Sequence, residues 1–291
     1  MIIDYHVHLE RAGITRANAM RFVQQATQRG VCELAFTEHA FNFVELAPLL
    51  ARPEYVARYG HGFQLADYIR MVRDVARELE DGGSQLKVRL GLEVDYVPET
   101  GQALRETLAE LDLDVVLGSV HWIGQWGIDL GADTWEGRSR PRACRDYFLL
   151  AAEAAASGMF DVIGHPDLVK IYGFTTGEDC RSAMQEGGAE LVRAAAESGT
   201  CLEVSSAGLR RPVREVYPGL ELLRAARVAG IGITLASDAH EPDECGLGLT
   251  DAVAWARRAG YTEITTFSRR VPAVRPLRPE GGETPIALAR F

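Results

Sequence analysis

The 291-residue chain is 47% hydrophobic and 25% charged, close to the globular average, and no window approaches the roughly 20 continuous apolar residues that a membrane-spanning helix needs. Its formal net charge of -10 argues against nonspecific binding to nucleic acid or to anionic membranes. The cysteines Cys32, Cys144, Cys180, Cys201 and Cys245 are scattered and lack CxxC spacing, which points to neither a disulfide framework nor a thiolate zinc site and suits a reducing cytoplasm.

Met1 leads straight into Ile-Ile-Asp-Tyr-His, a buried-strand pattern with no basic region, apolar region or cleavage site before it, so export is not expected. After this first strand candidate, at 2–8, others follow at 31–37, 86–93, 114–120, 160–164, 201–205 and 231–237, with a weaker one at 263–267. Amphipathic helical patterns lie between them at 15–29, 64–80, 100–111, 143–157, 183–198 and 218–229, several closed by Gly30, Gly199 or Gly230. This alternation predicts parallel strands joined by crossover helices, and seven or eight such units favour a closed α/β barrel over an open doubly wound sheet. No dinucleotide fingerprint or P-loop follows the first strand. One barrel domain is expected over 1–270, with the proline- and glycine-rich stretch 271–291 as an extended tail.

Ionisable residues fall at the predicted strand ends: His6 and His8, Glu38 and His39, Glu93, His121, His165, Glu203 with Ser205, and Asp238 with His240. In extended backbone, residues i and i+2 share a face, so His6-x-His8 and Asp238-x-His240 each present two donors to one side. Imidazole nitrogen and carboxylate oxygen suit Zn, Mn or Fe rather than a soft thiolate site. The carboxyl ends of the strands of a parallel barrel form one rim, and that rim carries the active site. Six of the seven histidines lie there, a concentration that scattered core histidines do not explain. His6, His8, His39, Glu93, His121, His165, Asp238 and His240 exceed the about four ligands one zinc-like ion takes. Two or three ions sharing a carboxylate are therefore expected, with Glu93 as the bridge.

In the order His6-x-His8, Thr37-Glu38-His39, Gly91-Leu92-Glu93, Gly118-Ser119-Val120-His121, Gly164-His165-Pro166 and Ser237-Asp238-Ala239-His240, the chain resembles the PHP (polymerase and histidinol phosphatase) superfamily across nearly its whole length. The run from Glu203 through Arg210-Arg211-Pro212 to Val216-Tyr217-Pro218 is similar to its monofunctional histidinol-phosphate phosphatases. The resemblance implies a distorted (β/α)7, TIM-barrel-like fold and two to three divalent transition metal ions, Zn, Fe or Mn. It puts His6, His8, Glu93 and Asp238 on the first ion, Glu93, His121 and His165 on the second, and His39 and His240 on a third. Family members add an aspartate or histidine a few residues after the first motif. This chain has Leu9-Glu10-Arg11 there, so Glu10 is either the substitute ligand or a charge exposed at the rim.

The implied activity is metal-dependent hydrolysis of L-histidinol phosphate to L-histidinol and phosphate, in histidine biosynthesis, through a hydroxide bridging two ions. Arg210 is favoured over Arg211 as the phosphate clamp, because a guanidinium fork donates two hydrogen bonds at fixed geometry. Ser205 is a hydroxyl donor or a turn cap. His61, in the long connection 40–62, contacts substrate or faces solvent. Trp122 and Trp126 line the pocket or pack, and Asp95, Asp129 and Glu241 are candidates to receive the substrate amine. The partner is a small phosphate ester, with neither nucleic acid nor membrane. The alternatives are another phosphate ester, such as a nucleotide or a sugar phosphate, and a PHP module kept for binding alone.

Overall fold

The computed structural model describes residues 1–50 and 53–277. Seven parallel strands form one sheet: β1 (Ile3–Val7), β2 (Glu33–His39), β3 (Lys87–Asp95), β4 (Val115–Ser119), β5 (Val162–Ile163), β6 (Cys201–Ser205) and β7 (Ile233–Ala236), in that spatial order. Near-continuous burial along β1, β2, β4, β6 and β7 accounts for their apolar runs, since helices cover the outer face of such a sheet. The sheet curls until its two edges meet. His8 N donates to Ala239 O at 2.8 Å and Ala239 N to His6 O at 3.2 Å, so the closing bridge joins the first and last motifs of the chain. A register shift between Asp4 and Val7 and the two-residue length of β5 make this a distorted (β/α)7 barrel.

The outer helices are α1 (Arg16–Gln28), α2 (Pro53–Tyr59), α3 (Leu65–Asp81), α4 (Gly101–Glu110), α5 (Arg140–Ala156), α6 (Glu178–Ser198), α7 (Leu220–Val228) and α8 (Leu249–Arg258). α1 shows the local logic. The Thr15 side chain accepts a hydrogen bond from Asn18 N, and Ala19, Phe22, Val23 and Ala26 present the i, i+3, i+4, i+7 stripe to the core. α6 begins five residues before the expected 183, because its first turn carries Glu178 and Asp179, which favour a helix start through the dipole and not through an apolar stripe. Neither α2 nor α8 was expected. α2 is only seven residues long, whereas α8 buries Leu249, Ala252, Val253 and Ala256 in the same i, i+3, i+4, i+7 spacing as the α1 stripe. No helix of the described residues is long and apolar enough to cross a membrane.

The weak strand at 263–267 is real but lies outside the barrel. β8 (Glu263–Ser268) pairs antiparallel with β9 (Val271–Pro276), turned by Arg269 and Arg270 at φ 50° and 61°. The hairpin packs on the amino end of the barrel, where Phe267 N donates to the Tyr5 hydroxyl at 2.9 Å. The stretch expected as an extended tail thus begins as a paired strand; of it, 278–291 lie outside the described residues.

Candidate metal centre

Strand register carries much of the assembly. His39, at the end of β2, sits directly beside Glu93 on β3, and Glu93 in turn beside Leu117 on β4. Glu93, almost fully buried, lies at the centre. Its Oε2 is 2.7 Å from His39 Nδ1, 3.2 Å from His6 Nε2 and 3.6 Å from His8 Nε2, while its Oε1 is 3.1 Å from His165 Nε2 and 3.6 Å from His121 Nε2. Ser119 Oγ donates to Oε1 at 2.6 Å. Asp238 Oδ1 faces the same space, 3.8 Å from His6 Nε2, 3.6 Å from His8 Nε2 and 3.4 Å from His240 Nε2.

Four triads have ligand atoms within 4.8 Å of one another: His6, His8 and Asp238; His6, Glu93 and His165; His8, His39 and His240; and His8, Glu10 and Glu38. Among the described residues, His6 Nε2, both ring nitrogens of His8 and Glu10 Oε2 are buried with no hydrogen-bond partner. Leaving such groups unsatisfied costs about 1–3 kcal/mol each. Several of them converging with two carboxylates is what a cation site requires, so this donor set fits divalent metal ions.

A ring of further carboxylates holds the imidazoles from behind. His6 Nδ1 meets Glu203 Oε1 at 2.7 Å, His121 Nδ1 meets Asp95 Oδ1 at 2.8 Å, and His240 Nδ1 meets Glu10 Oε1 at 2.6 Å. Glu38 receives Leu9 N, His39 N and the Asn42 amide, with His8 Nδ1 3.7 Å away. Such contacts set the tautomer and orientation of ligating histidines. Electrostatics follow from the crowding. Burial pushes His8 down, but the carboxylates of Asp238 and Glu38, 3.6 and 3.7 Å away, outweigh it and hold the ring up at about 10. His121 is likewise depressed by burial and raised to about 10 by the charges of Asp95 and Glu93. Burial pushes Glu93 up, yet the surrounding His6, His39 and His121 hold it well below the usual carboxylate range.

Two of the candidate donors occupy backbone conformations that side chains rarely adopt: His165 at φ 24° and Asp238 at φ 53°. The Asp238 turn is clamped from both sides. Asp4 accepts Ser237 N at 2.8 Å and Ser237 Oγ at 2.6 Å, and Arg210 Nη2 donates to the carbonyls of Ser237 and Asp238 at 2.8 and 3.0 Å. Gly164 is required where β5 ends, because a Cβ there would lie 2.5 Å from Ser119 Oγ.

Above the donors opens a cleft of about 350 Å³ whose walls include Glu10, His39, His121, His165, Asp238 and His240, with Phe41, Tyr55, Trp122, Asp95, Asp129, Arg11 and Arg211 around them. This revises several expectations for substrate contacts. Arg211 lines the cleft, whereas Arg210, the favoured clamp, turns its Nη2 to the Asp238 turn and holds its Nε 3.5 Å from Glu244, with Nη1 buried and unpartnered. Ser205 is fully buried and accepts Ala207 N, so it caps a turn. His61 stands at the exposed mouth, stacked on Phe63. Trp122 lines the cleft while Trp126 packs edge-on against Trp135. Asp95 and Asp129 line the cleft, and Glu241 faces Arg11 nearer the surface. Glu203, Asp95, Glu38 and Asp4 were missed as supports. Glu203 and Glu38 carried a visible signal, since each stands at a strand end.

Fold and rim together define a metal-centred α/β barrel protein, with histidines and carboxylates from every strand end gathered at one mouth. Residues 4–207 match the PHP domain, and the chain belongs to that family, in its histidinol-phosphatase branch. It is 34% identical over 273 residues to a probable histidinol-phosphatase of Deinococcus radiodurans, covering 93% of this chain and 98% of that protein. It is 25% identical over 268 residues to the histidinol-phosphatase of Lactococcus lactis, covering 91% and 94%. The crystal structure of the Lactococcus lactis histidinol phosphate phosphatase with zinc, L-histidinol and phosphate shares the fold. Its TM-score is 0.74 at 22% sequence identity, over 94% of this chain and 98% of that one.

Proposed function

We propose that this chain is a metal-dependent phosphatase that hydrolyses L-histidinol phosphate to L-histidinol and phosphate, a step of histidine biosynthesis. The observation that carries the reading is the set of unsatisfied buried donors around Glu93, roofed by a cleft that is at once cationic, acidic and aromatic. The names of its relatives, and the zinc, L-histidinol and phosphate held by the Lactococcus protein, support it.

The residues that would hold two to three divalent ions, Zn, Fe or Mn, are His6, His8, Glu93 and Asp238 for one, Glu93, His121 and His165 for a second, and His39, His240 and Glu10 for a third. The orphaned Oε2 of Glu10 supports its inclusion. When bound, such ions supply Lewis-acid withdrawal of charge from phosphoryl oxygens and lower the pKa of water from 15.7 toward ~7. Arg211 presents its guanidinium fork to the remaining phosphoryl oxygens, replacing Arg210 in that role, with Arg11 as a second cation lining the cleft. Arg210 keeps Asp238 in its left-handed conformation and so acts on the donors instead of the substrate.

Selectivity rests on the other half of the cleft. Asp95 is occupied by His121 and Glu10 by His240, which leaves Asp129 as the cleft carboxylate best placed to receive the alkylammonium of histidinol phosphate. Trp122, Tyr55 and Phe41 form an aromatic wall against which an imidazole can stack, with Tyr55 edge-on to both of the others. His61 also lines the cleft, stacked on Phe63. The free thiols support a reducing, cytoplasmic setting. The test is phosphate release by the Mn- or Zn-loaded protein from histidinol phosphate, nucleotide monophosphates and sugar phosphates. A clear preference for histidinol phosphate is expected; brisk turnover of the others without that preference would refute the substrate while leaving the phosphatase chemistry intact.

A further inference from the structure

We infer that Glu203 is a positioning residue that couples two metal ligands from different strands, so that two of the proposed ions are gained and lost together. The inference rests on the reading of the rim as a metal centre. Glu203 is fully buried near the end of β6, and neither of its oxygens is idle. Oε1 accepts from His6 Nδ1 at 2.7 Å, and Oε2 accepts the backbone N–H of His165 in a very close contact.

The two contacts do different things. The first puts the His6 proton on Nδ1 and leaves the Nε2 lone pair aimed at Glu93 and Asp238, where that nitrogen has no hydrogen-bond partner. The second holds the backbone of His165 at φ 24°, a conformation that costs energy and persists only when its surroundings enforce it. That conformation keeps His165 Nε2 3.1 Å from Glu93. His6 belongs to both the triad with His8 and Asp238 and the triad with Glu93 and His165, so a single carboxylate sets the tautomer of the imidazole the two triads share and the backbone of His165 in the second. Asp95 offers the contrast, for its recorded hydrogen bond supports one ligand, His121.

Glu203→Gln keeps the side-chain volume but offers one acceptor oxygen to two donors; the backbone N–H of His165 can only donate and keeps that oxygen, so the amide nitrogen turns to His6 Nδ1 and moves the His6 proton to Nε2, withdrawing the lone pair of the imidazole that both triads share. Asp95→Asn weakens support for one ligand only. After loading with Zn and dialysis against graded chelator, metal per chain is counted by mass spectrometry alongside the melting temperature of the metal-free protein. Wild type should release its ions at the highest chelator concentration. Asp95→Asn should lose one ion early, and Glu203→Gln should lose two in step, each with affinity weakened by about 10–100-fold. Retention of wild-type stoichiometry and affinity by Glu203→Gln, or loss of one ion alone, would overturn the inference. A wild type that takes up no metal would instead overturn the metal-centre reading. If Glu203→Gln does not fold, nitrogen-15 spectra of histidine-labelled, Zn-loaded wild type decide the matter, since His6 must carry its proton on Nδ1, and a proton on Nε2 would exclude the role.

Discussion

The two ends of this barrel use the same residue types to opposite effect. At the amino end, each oxygen of Glu33, Asp114 and Asp161 is met. Glu33 takes Arg89 Nε and Nη2 at 3.0 and 3.2 Å and the Tyr5 hydroxyl, Asp114 takes Arg73, Leu90 N and Arg269 N at 2.6, 2.9 and 3.0 Å, and Asp161 takes Arg270 and Val116 N. At the carboxyl end, Glu93, Asp238 and Glu10 face histidines across 2.6–3.8 Å, while nitrogens of His6 and His8 are left without partners. A carboxylate fully matched by arginine and backbone N–H groups is holding structure together; one surrounded by unmatched lone pairs is waiting for something positive. Barrels of this class separate the two tasks by end, with stability below and chemistry above.

The sharpest way to break this contrast is to remove one carboxylate from each end. Glu93→Gln should lower kcat/KM by about 10²–10³-fold or more and deplete bound metal, while costing the metal-free protein less thermal stability than a substitution at the amino end. Asp114→Ala should do the reverse. It strands two backbone N–H groups and Arg73, costing about 3 kcal/mol in urea unfolding, with activity per folded molecule preserved. A large activity loss in Asp114→Ala, or a large stability loss in Glu93→Gln, would erase the distinction between the ends.

Within the upper end, the neighbouring arginines separate substrate from support. Arg211→Ala should reduce kcat/KM by about 2 kcal/mol in transition-state terms with metal content intact. Arg210→Ala should show its effect first as lost metal, because it frees the Asp238 turn. Asp129→Asn should be milder still, raising KM for histidinol phosphate by about tenfold while sparing an amine-free aryl phosphate. Wild-type kinetics for Arg211→Ala or Asp129→Asn would remove the residue concerned from the cleft's function.

The smallest effect is in pH. His8 and His121, held at about 10 in the metal-free protein, bind more protons folded than unfolded, where the ordinary value is 6.5. Their contribution to stability is therefore complete below about 6.5 and is lost as pH rises toward 10. The melting temperature of the metal-free protein should sag over that window, and metal uptake near pH 8 should release protons, measurable by calorimetry in buffers of different ionisation enthalpy. Glu93 acts on the acid side, where its depressed value gives stability that is present above the ordinary carboxylate range and lost as the pH falls further. Metal uptake near pH 8 without proton release would show that these imidazoles are not the ligands.

Much of this organisation is local in origin and could be read along the chain. Alternating strand and helix patterns place parallel strands, and parallel strands place their ends on one rim, so His6, His8, Glu93, His121, His165 and Asp238 announce themselves by position alone. The supports do not. Glu203 reaches His6 across 197 residues of sequence, and Asp4 reaches Ser237 across 233. Arg210 and Arg211 are adjacent in sequence, and which of them meets the cleft depends on the sense of one short turn after β6. Hairpin β8–β9 escaped a full reading because β9 is an exposed, proline-containing outer strand without the burial that marks the others.

By itself, then, the sequence determined periodicity and chemistry: which stretches are strands, which ends carry donors, and how many donors exceed the needs of a single ion. Only the tertiary structure decided partnership, meaning which carboxylate backs which imidazole, which arginine lines the cleft, and which buried atoms remain unmatched. The physical reason is range. Backbone pattern is set by neighbours a few residues apart, whereas a hydrogen bond of 2.7 Å between His6 and Glu203 exists only because closing the barrel brings the two strand ends to the same mouth.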